Sequence, residues 1–244
     1  ISDHGSSVVF SSNASNLVVG DTNATTDVFL RNRLSGATGR VSIDSVGTQA
    51  NAGSTQCAVS SSGRFVVFSS LASNLVVGDT NGVYDIFVRD LLLGTTERVS
   101  VDSGGAQGTG DSQRPSISED GRYVAFESSA DNLVAGDTNG VTDVFVRHFF
   151  NGFGTTERVS VDSAGVQATL LPSAWASISA DGRYVAFVSG ASDLVAGDTN
   201  GVADIFVRDR VSGTTERVSV GSGGIEGNAV SGSPSISADG RGVA

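Results

Sequence analysis

A twelve-residue segment repeats along the chain and restricts the fold more than any other feature. It reads GDTNGVTDVFVR from Gly136 to Arg147 and returns almost unchanged from Gly78 to Arg89 and from Gly197 to Arg208. A more divergent copy, GDTNATTDVFLR, runs from Gly20 to Arg31. Each copy joins a polar turn rich in Asp, Asn and Gly to an apolar run, the pattern of a loop that leads into a buried strand. The chain is therefore predicted to consist of repeated units.

A second recurring element, the tight turn SxDGR, gives the length of the repeat. Its glycines are 58, 58, 61 and 58 residues apart. They are Gly5, Gly63, Gly121, Gly182 and Gly240. The spacing predicts four full repeats of about 58 residues in a single domain, with a short stub at the C-terminal end. The approximate bounds are 1–56, 57–114, 115–175 and 176–232 for the repeats, 233–244 for the stub and 1–244 for the domain.

One repeat contains four strand signals, and their patterns differ. The second and third strands are apolar at successive positions, which predicts burial on both faces. In the fourth strand Val159 and Val161 alternate with polar residues, so we expect Arg158 and Ser160 to face water. Four antiparallel strands graded in this way predict an all-β fold, a β-propeller of four-stranded antiparallel blades. The predicted strands of the third repeat are Ser116–Ser118, Tyr123–Glu127, Asp143–Arg147 and Thr156–Asp162.

The motifs of the repeat, in consensus form SxDGRYVAF, NLVAGDTNG, DVFVRD and GTTERVSVD, resemble the bacterial WD-repeat-like propeller family related to the TolB propeller. The resemblance covers nearly the whole chain, four times over. It implies a propeller fold and a secreted or cell-envelope location, extracellular or periplasmic. Propellers of this kind serve as scaffolds, binding modules and enzyme appendages, so the resemblance alone does not select a function.

Composition excludes several classes of partner. The net charge is −11, and the 15 basic residues are all arginines placed singly along the repeats. Nucleic-acid binding needs a concentrated positive surface, so it is not expected. No apolar run approaches the ~18 residues of a membrane span, so membrane insertion is not expected either. The single cysteine, Cys57, cannot form an internal disulfide, and it fills a small packed position held elsewhere by proline or alanine.

The sequence favours binding over catalysis. The only histidines, His4 and His148, occupy turn or strand-end positions where other repeats have Asp, Ser or Asn. Acidic residues that recur in every blade are spread around a ring, whereas an active site brings unlike groups to one point. We therefore expect a non-enzymatic binding or assembly module with a protein or carbohydrate partner. The alternative is a carbohydrate-active enzyme or a propeller appended to one, for which Glu127 is the acidic residue that does not repeat.

One candidate binding surface lies where the third repeat departs from the others. The loop that follows it is predicted to contain Leu170, Leu171 and Trp175, the only tryptophan. These apolar residues are expected on the same face as the long Asp-rich loops, where Trp175 could anchor a partner. The alternative is that Trp175 fills a packing gap beside the first strand of blade four.

The repeated Asp/Asn loops suggest a calcium site in each blade. Calcium prefers six to eight oxygen ligands on a loop relaxed by glycine, and two carboxylates with one asparagine amide recur in each copy. Two ligand positions of a typical calcium loop are empty, so the alternative is a structural turn. Ala24 replaces glycine in the first copy, which predicts the weakest binding there if that position needs a positive φ. The candidate ligands are Asp21, Asn23 and Asp27; Asp79, Asn81 and Asp85; Asp137, Asn139 and Asp143; and Asp198, Asn200 and Asp204.

The stub raises the question of how the propeller closes. Counted from the first repeat, blade one lacks its first strand, and Ser233–Ser237 supplies a spare one. We expect the spare strand to pair with Ser6–Ser11, in this chain or in a neighbour, because the first blade otherwise exposes an unpaired edge. Pairing between chains would give head-to-tail self-assembly. The remaining alternative is that the chain is part of a longer array.

Overall fold

The strands form one antiparallel sheet per repeat. In the computed structural model, which describes residues 1–150, 153–169 and 171–244, fifteen strands follow the order of the chain within each sheet. Blade one consists of β1 (Ser7–Ser12), β2 (Asp27–Asn32) and β3 (Thr38–Arg40). Blade two consists of β4 (Ser54–Val59), β5 (Phe65–Ser70), β6 (Asp85–Asp90) and β7 (Thr95–Arg98). Blade three consists of β8 (Ser112–Ile117), β9 (Tyr123–Ser128), β10 (Asp143–Phe150) and β11 (Phe153–Arg158). Blade four consists of β12 (Ser173–Ile178), β13 (Tyr184–Ser189), β14 (Asp204–Asp209) and β15 (Thr214–Arg217).

The apolar core lies between the blades as well as within them. Within blade three, Phe126 and Phe145 stack with ring centres 6.0 Å apart, and each of the other blades has an equivalent pair. Both rings belong to a buried cluster that also contains Val67 and Ile86 of blade two. Sheets that share cores with their neighbours on both faces are the arrangement of a β-propeller. The predicted fold class is confirmed.

The first strand of each four-stranded blade is longer than predicted and contains a β-bulge. In blade three it begins at Ser112, four residues before the predicted start, and its register with β9 shifts between Gln113 and Ser116. Pro115 lies in this bulge, where the missing amide does not interrupt the ladder. The first strands of neighbouring blades, β4, β8 and β12, lie against one another, so they surround the common axis.

The water-facing side predicted for the fourth strand is wrong. Ser160 is completely buried, and the side chain of Arg158 is only 9% exposed. The hydroxyl of Ser160 donates a 2.5 Å hydrogen bond to Oδ1 of the buried Asp143, and Nη1 of Arg158 lies 3.3 Å from Oδ2. A buried carboxylate requires donors, and these two polar side chains turn inward to provide them.

The C-terminal stub forms a short hairpin of its own beside blade four. Ser235 and Ala244 exchange two backbone hydrogen bonds of 2.9 and 3.0 Å, and Ile236 bridges Val243. Within the chain, the spare strand therefore pairs with the segment that follows it, and the predicted in-chain pairing with β1 does not occur in the described residues. Pairing between chains stays a prediction.

The glycine of each SxDGR turn closes the contact between successive blades. Gly121 has φ +77°, and a Cβ atom there would lie 2.3 Å from a ring carbon of Phe65 in the preceding blade. Gly136 has a similar φ of +75°, but a Cβ atom there would meet nothing within 4 Å. Substituting alanine at Gly136 would therefore introduce backbone strain alone, whereas at Gly121 it would introduce the same strain and a steric clash with Phe65.

We predict that Gly121→Ala destabilises the protein more than Gly136→Ala. The left-handed backbone should cost about 1 kcal/mol at either position. At Gly121 the displaced ring should add roughly 1–3 kcal/mol, as overpacking does. Urea unfolding of the two variants and the wild type measures both terms, and equal losses would contradict the packing contact.

Candidate functional site

The Asp/Asn loop of each blade surrounds an arginine of the fourth strand. In blade three, Arg158 Nη1 lies 2.9 Å from Asp137 Oδ1 and 3.3 Å from Asp143 Oδ2. Asn139 does not direct its amide oxygen toward this centre. Its Nδ2 donates to Asp143 Oδ2 at 2.8 Å and to the carbonyl of Ala168 at 2.9 Å, while its Oδ1 accepts the backbone N–H of Val141. The guanidinium is thus the cation between the two carboxylates.

The other three blades repeat this ion pair. Burial raises the pKa of the carboxyl groups of Asp79, Asp137 and Asp198, so each ionised form depends on its arginine. The nearby amide oxygen of a glutamine, or the carboxylate of Glu226 in blade four, accepts a further hydrogen bond from the guanidinium. The other arginines and their aspartates are Arg40 with Asp21 and Asp27, Arg98 with Asp79 and Asp85, and Arg217 with Asp198 and Asp204.

As they stand, these loops do not fit a calcium ion. A guanidinium contacts both carboxylates of each loop, and the asparagine contributes an N–H where a calcium ion needs an oxygen. Within residues 1–150, 153–169 and 171–244, no three His, Cys, Asp or Glu side chains group as metal ligands. Calcium binding remains a prediction, with the added condition that the arginine must move away.

The backbone conformation of the loops is the tight turn that both the calcium-site and the structural-turn interpretations require. Ala24 has φ +56°, and its equivalents Gly82, Gly140 and Gly201 have φ between +68° and +69°. The condition stated for this position is therefore met in all four copies, and the first loop is the strained one because it carries alanine there.

A second group of residues, the axial row, lines the centre of the propeller. Gln56, Arg114 and Trp175 hold equivalent positions at the bulge in the first strands of blades two, three and four, and Ser233 holds the equivalent sequence position in the stub. All four have positive φ, between +49° and +58°. They line one cavity of about 300 Å³ together with Cys57 and its equivalents. Non-glycine residues rarely adopt this backbone, and bulges of this kind re-aim side chains at functional sites.

Trp175 is held in place by residues of blade three. Its backbone N–H donates to Oε2 of Glu127 at 3.0 Å, and its ring lies 4.6 Å from the guanidinium carbon of Arg114. Arg114 also forms an ion pair with Glu127, and its backbone N–H donates to Oε1 of Gln56 at 2.9 Å. The Trp175 side chain nevertheless stays 47% exposed. It is a fixed, accessible aromatic surface rather than a buried packing residue.

The structure describes two of the three residues of the predicted apolar patch. Trp175 lies within strand β12 rather than in the loop before it, and Leu171 is 48% exposed just outside that strand. Leu170 falls outside the described residues. Sequence reasoning missed Arg114 and Gln56 because the first strand was predicted to begin at Ser116. The available signal was that these positions differ from repeat to repeat while their neighbours do not.

The remaining candidates for chemistry have structural contacts. Glu127 is 7% exposed, and both of its carboxylate oxygens are engaged by Arg114 and Trp175. His148 stacks on Tyr123 with ring centres 4.7 Å apart. Burial raises the pKa of the Cys57 thiol, which lowers its thiolate fraction.

Comparison with solved structures identifies the fold as that of a TolB-type β-propeller. TolB from Acinetobacter baumannii superimposes with a TM-score of 0.56 at 19% identity, over 98% of this chain and 45% of that protein. A putative TolB from Agrobacterium tumefaciens gives a TM-score of 0.56 at 18% identity, over 89% and 62% of the two chains. Dipeptidyl peptidase 4 from Porphyromonas gingivalis gives 0.51 at 17% identity, over 89% and 32%.

These similarities establish the fold. The chain spans about half to three-fifths of the length of the two TolB structures. No protein-family profile matches the sequence, and no curated protein is similar to it. Among the described residues there is no helix long and apolar enough to cross a membrane.

We predict that Arg158→Gln makes the protein responsive to calcium. Removing one partner of a buried ion pair should cost about 3–5 kcal/mol, because Asp137 and Asp143 lose their cation. Millimolar calcium should then raise the melting temperature of the variant and leave that of the wild type unchanged. Melting curves with calcium and with chelator measure both. An equal rise in the two proteins would show that calcium binds beside the arginine.

Proposed function

We propose that this propeller is a binding module whose partner, a segment of another protein, docks on the axial row. The observation behind the proposal is the half-exposed ring of Trp175, which lines the cavity and lies against the guanidinium of Arg114. Exposing a large aromatic side chain forfeits the free energy that its burial would provide. Aromatic residues held rigidly in this way are the anchors that dominate protein interfaces.

The neighbouring side chains suit a polypeptide segment. Arg114 and Gln56 add N–H donors and an amide beside the ring, and such groups can hydrogen-bond backbone carbonyls while the ring packs an apolar side chain. The four positions are chemically unlike, so the row can distinguish one partner from another, whereas the repeated loops present the same groups in every blade.

The setting of the proposal follows the resemblance to TolB-type propellers. We place the module in the cell envelope or outside the cell, where such a scaffold would serve assembly. Calcium is not required for the proposal, because an arginine already lies between the two carboxylates of each loop. The same propeller fold also occurs in dipeptidyl peptidase 4, but the engaged carboxylate of Glu127 gives no support to a catalytic role here.

We predict that Trp175→Ala abolishes partner binding and leaves the fold intact. Peptides selected from a display library on the wild-type protein alone supply the ligands for this test. Their dissociation constants should rise at least tenfold in Trp175→Ala and also in Arg114→Ala, as expected for hot-spot residues. Because Trp175 is the only tryptophan, its fluorescence should change on binding to the wild type.

A matched control separates this face from other apolar positions. Leu92 is also exposed but lies in the turn between β6 and β7, so Leu92→Ala should bind the selected peptides as the wild type does. Unchanged binding by Trp175→Ala would contradict the proposal. A loss of about 3–5 kcal/mol in its stability would instead assign Trp175 to packing.

Self-assembly through the spare strand is a second proposal for the same scaffold. Among the described residues, no strand pairs with the inner edge of β1, which leaves backbone groups there for another chain. We predict that light scattering at high concentration gives a mass above the 24.7 kDa of one chain, and that deleting residues 233–244 returns it to a monomer. A monomeric mass at every concentration would exclude the exchange.

A further inference from the structure

Two successive clefts between blades differ at one equivalent position. Arg210 follows the third strand of blade four, and its backbone N–H donates to the carbonyl of Arg183 at 3.0 Å. Phe149 takes the corresponding place in blade three, with its N–H donating to the carbonyl of Arg122 at 2.9 Å. The backbone is the same in both clefts, and only the cleft between blades three and four has a cationic side chain there.

The side chain of Arg210 occupies a pocket that suits a guanidinium group. Residues of blade three and of the SxDGR turn of blade four form this pocket. The Nε of Arg210 lies 2.5 Å from Oε1 of Glu157, and Arg210 also donates to the carbonyl of Gly182. Its guanidinium carbon lies 4.7 Å from the centre of the Tyr123 ring. The side chain is only 15% exposed. A carboxylate, a carbonyl and an aromatic face are the three groups that recognise a planar cation.

The cleft between blades two and three has the same three groups, but no arginine takes the position of Arg210, and Arg64 lies over the Phe65 ring with its guanidinium carbon 4.7 Å from the ring centre. Glu97, Gly121 and Phe65 are the equivalents of Glu157, Gly182 and Tyr123, and all three line a cavity of about 250 Å³. Among the described residues, no group forms an ion pair or a side-chain hydrogen bond with the carboxylate of Glu97. Phe149 meets the Phe65 ring edge-on, with ring centres 6.1 Å apart, and the cavity remains beside it.

The charges of this cavity leave one negative charge over. Its lining contains two guanidinium groups and three carboxylates, so one carboxylate is in excess. Arg64 lies 2.6 Å from Asp90, and Arg122 lies 3.6 Å from Asp120. The carboxylate that remains is that of Glu97, at the place where Glu157 holds Arg210.

The approach to the cavity is also acidic. A second, more open cavity adjoins this one and is lined by Asp3, Glu119 and Asp181. Asp120 lines both cavities. Such a rim attracts cations and repels anions.

We propose that the cleft between blades two and three binds an arginine side chain of a partner polypeptide in the cavity beside Phe149, against the carboxylate that corresponds to the one holding Arg210 one cleft further on. The volume is below the ~300–1,000 Å³ of typical small-molecule sites, which suits a single side chain. A planar guanidinium can donate to the Glu97 carboxylate and the Gly121 carbonyl at the same time through its fixed fork of N–H groups, which the ammonium of lysine lacks. The cleft lies at the end of the blades opposite the Asp-rich loops, and this proposal does not depend on the axial row.

Titration with N-acetyl-arginine methylamide, followed by amide NMR shifts, tests the proposal. Saturable shifts are expected at Phe65, Glu97 and Gly121. The citrulline analogue, which has the same shape without the charge, should produce none, and the lysine analogue should bind more weakly. Equal shifts with arginine and citrulline would overturn the proposal.

Matched variants locate the site. Glu97→Gln should weaken binding roughly tenfold, as expected for loss of a charge-assisted contact. Glu157→Gln is the control, because its cleft is already filled by Arg210, and it should bind as the wild type does. Unchanged affinity in Glu97→Gln would place the ligand elsewhere and reject the assignment.

Substitutions at the two equivalent positions, Phe149 and Arg210, test whether the two clefts are alike. Phe149→Arg should fill the cavity from within, abolish binding and raise the melting temperature. Arg210→Ala should empty the cleft between blades three and four and add a second saturable set of shifts around Glu157. If Phe149→Arg folds and still binds the probe with wild-type affinity, the proposal fails.

Discussion

The buried aspartate that begins the third strand of each blade is the group on which the repeat depends. In blade two, Asp85 is fully buried and accepts hydrogen bonds from Ser100 at 2.5 Å and Asn81 at 2.9 Å, with Arg98 at 3.2 Å. An unpaired carboxylate in this place would cost several kcal/mol. Asn81 lies in the long loop, Arg98 ends the fourth strand, and Ser100 follows that strand. One carboxylate at the start of the third strand therefore holds the loop, the fourth strand and the segment after it together.

Against that uniform scaffold, the candidate sites are the positions at which the blades differ. The bulge of the first strand gives each blade the same left-handed position, and the side chain there changes from Gln56 to Arg114 to Trp175. The place after the third strand changes in the same way, from Phe149 to Arg210. Because the backbone is repeated, each substitution can be compared with an equivalent position in the same molecule, and an unmatched charge such as Glu97 becomes visible.

Part of this could be predicted from the sequence. The repeat length and the apolar second and third strands gave the propeller, and glycine in the other copies indicated where a positive φ could occur, as it does at Ala24. The prediction failed where a residue's role depends on a distant partner. Ser160 looks like a water-facing serine in an alternating strand, but it donates to Asp143. The start of β8 was missed because the bulge at Arg114 and Pro115 breaks the alternation that marks a strand.

The sequence by itself determined the repeating unit, the strand order within it and the buried faces, because these follow from local periodicity and turn chemistry. Only the tertiary structure decided what each polar residue contacts. It paired Arg158 with Asp137, placed Glu127 beneath Trp175 and left Glu97 without the arginine that Glu157 has. These contacts join residues from separate strands and blades, and their geometry depends on how the sheets pack around the axis rather than on the order of residues in the chain.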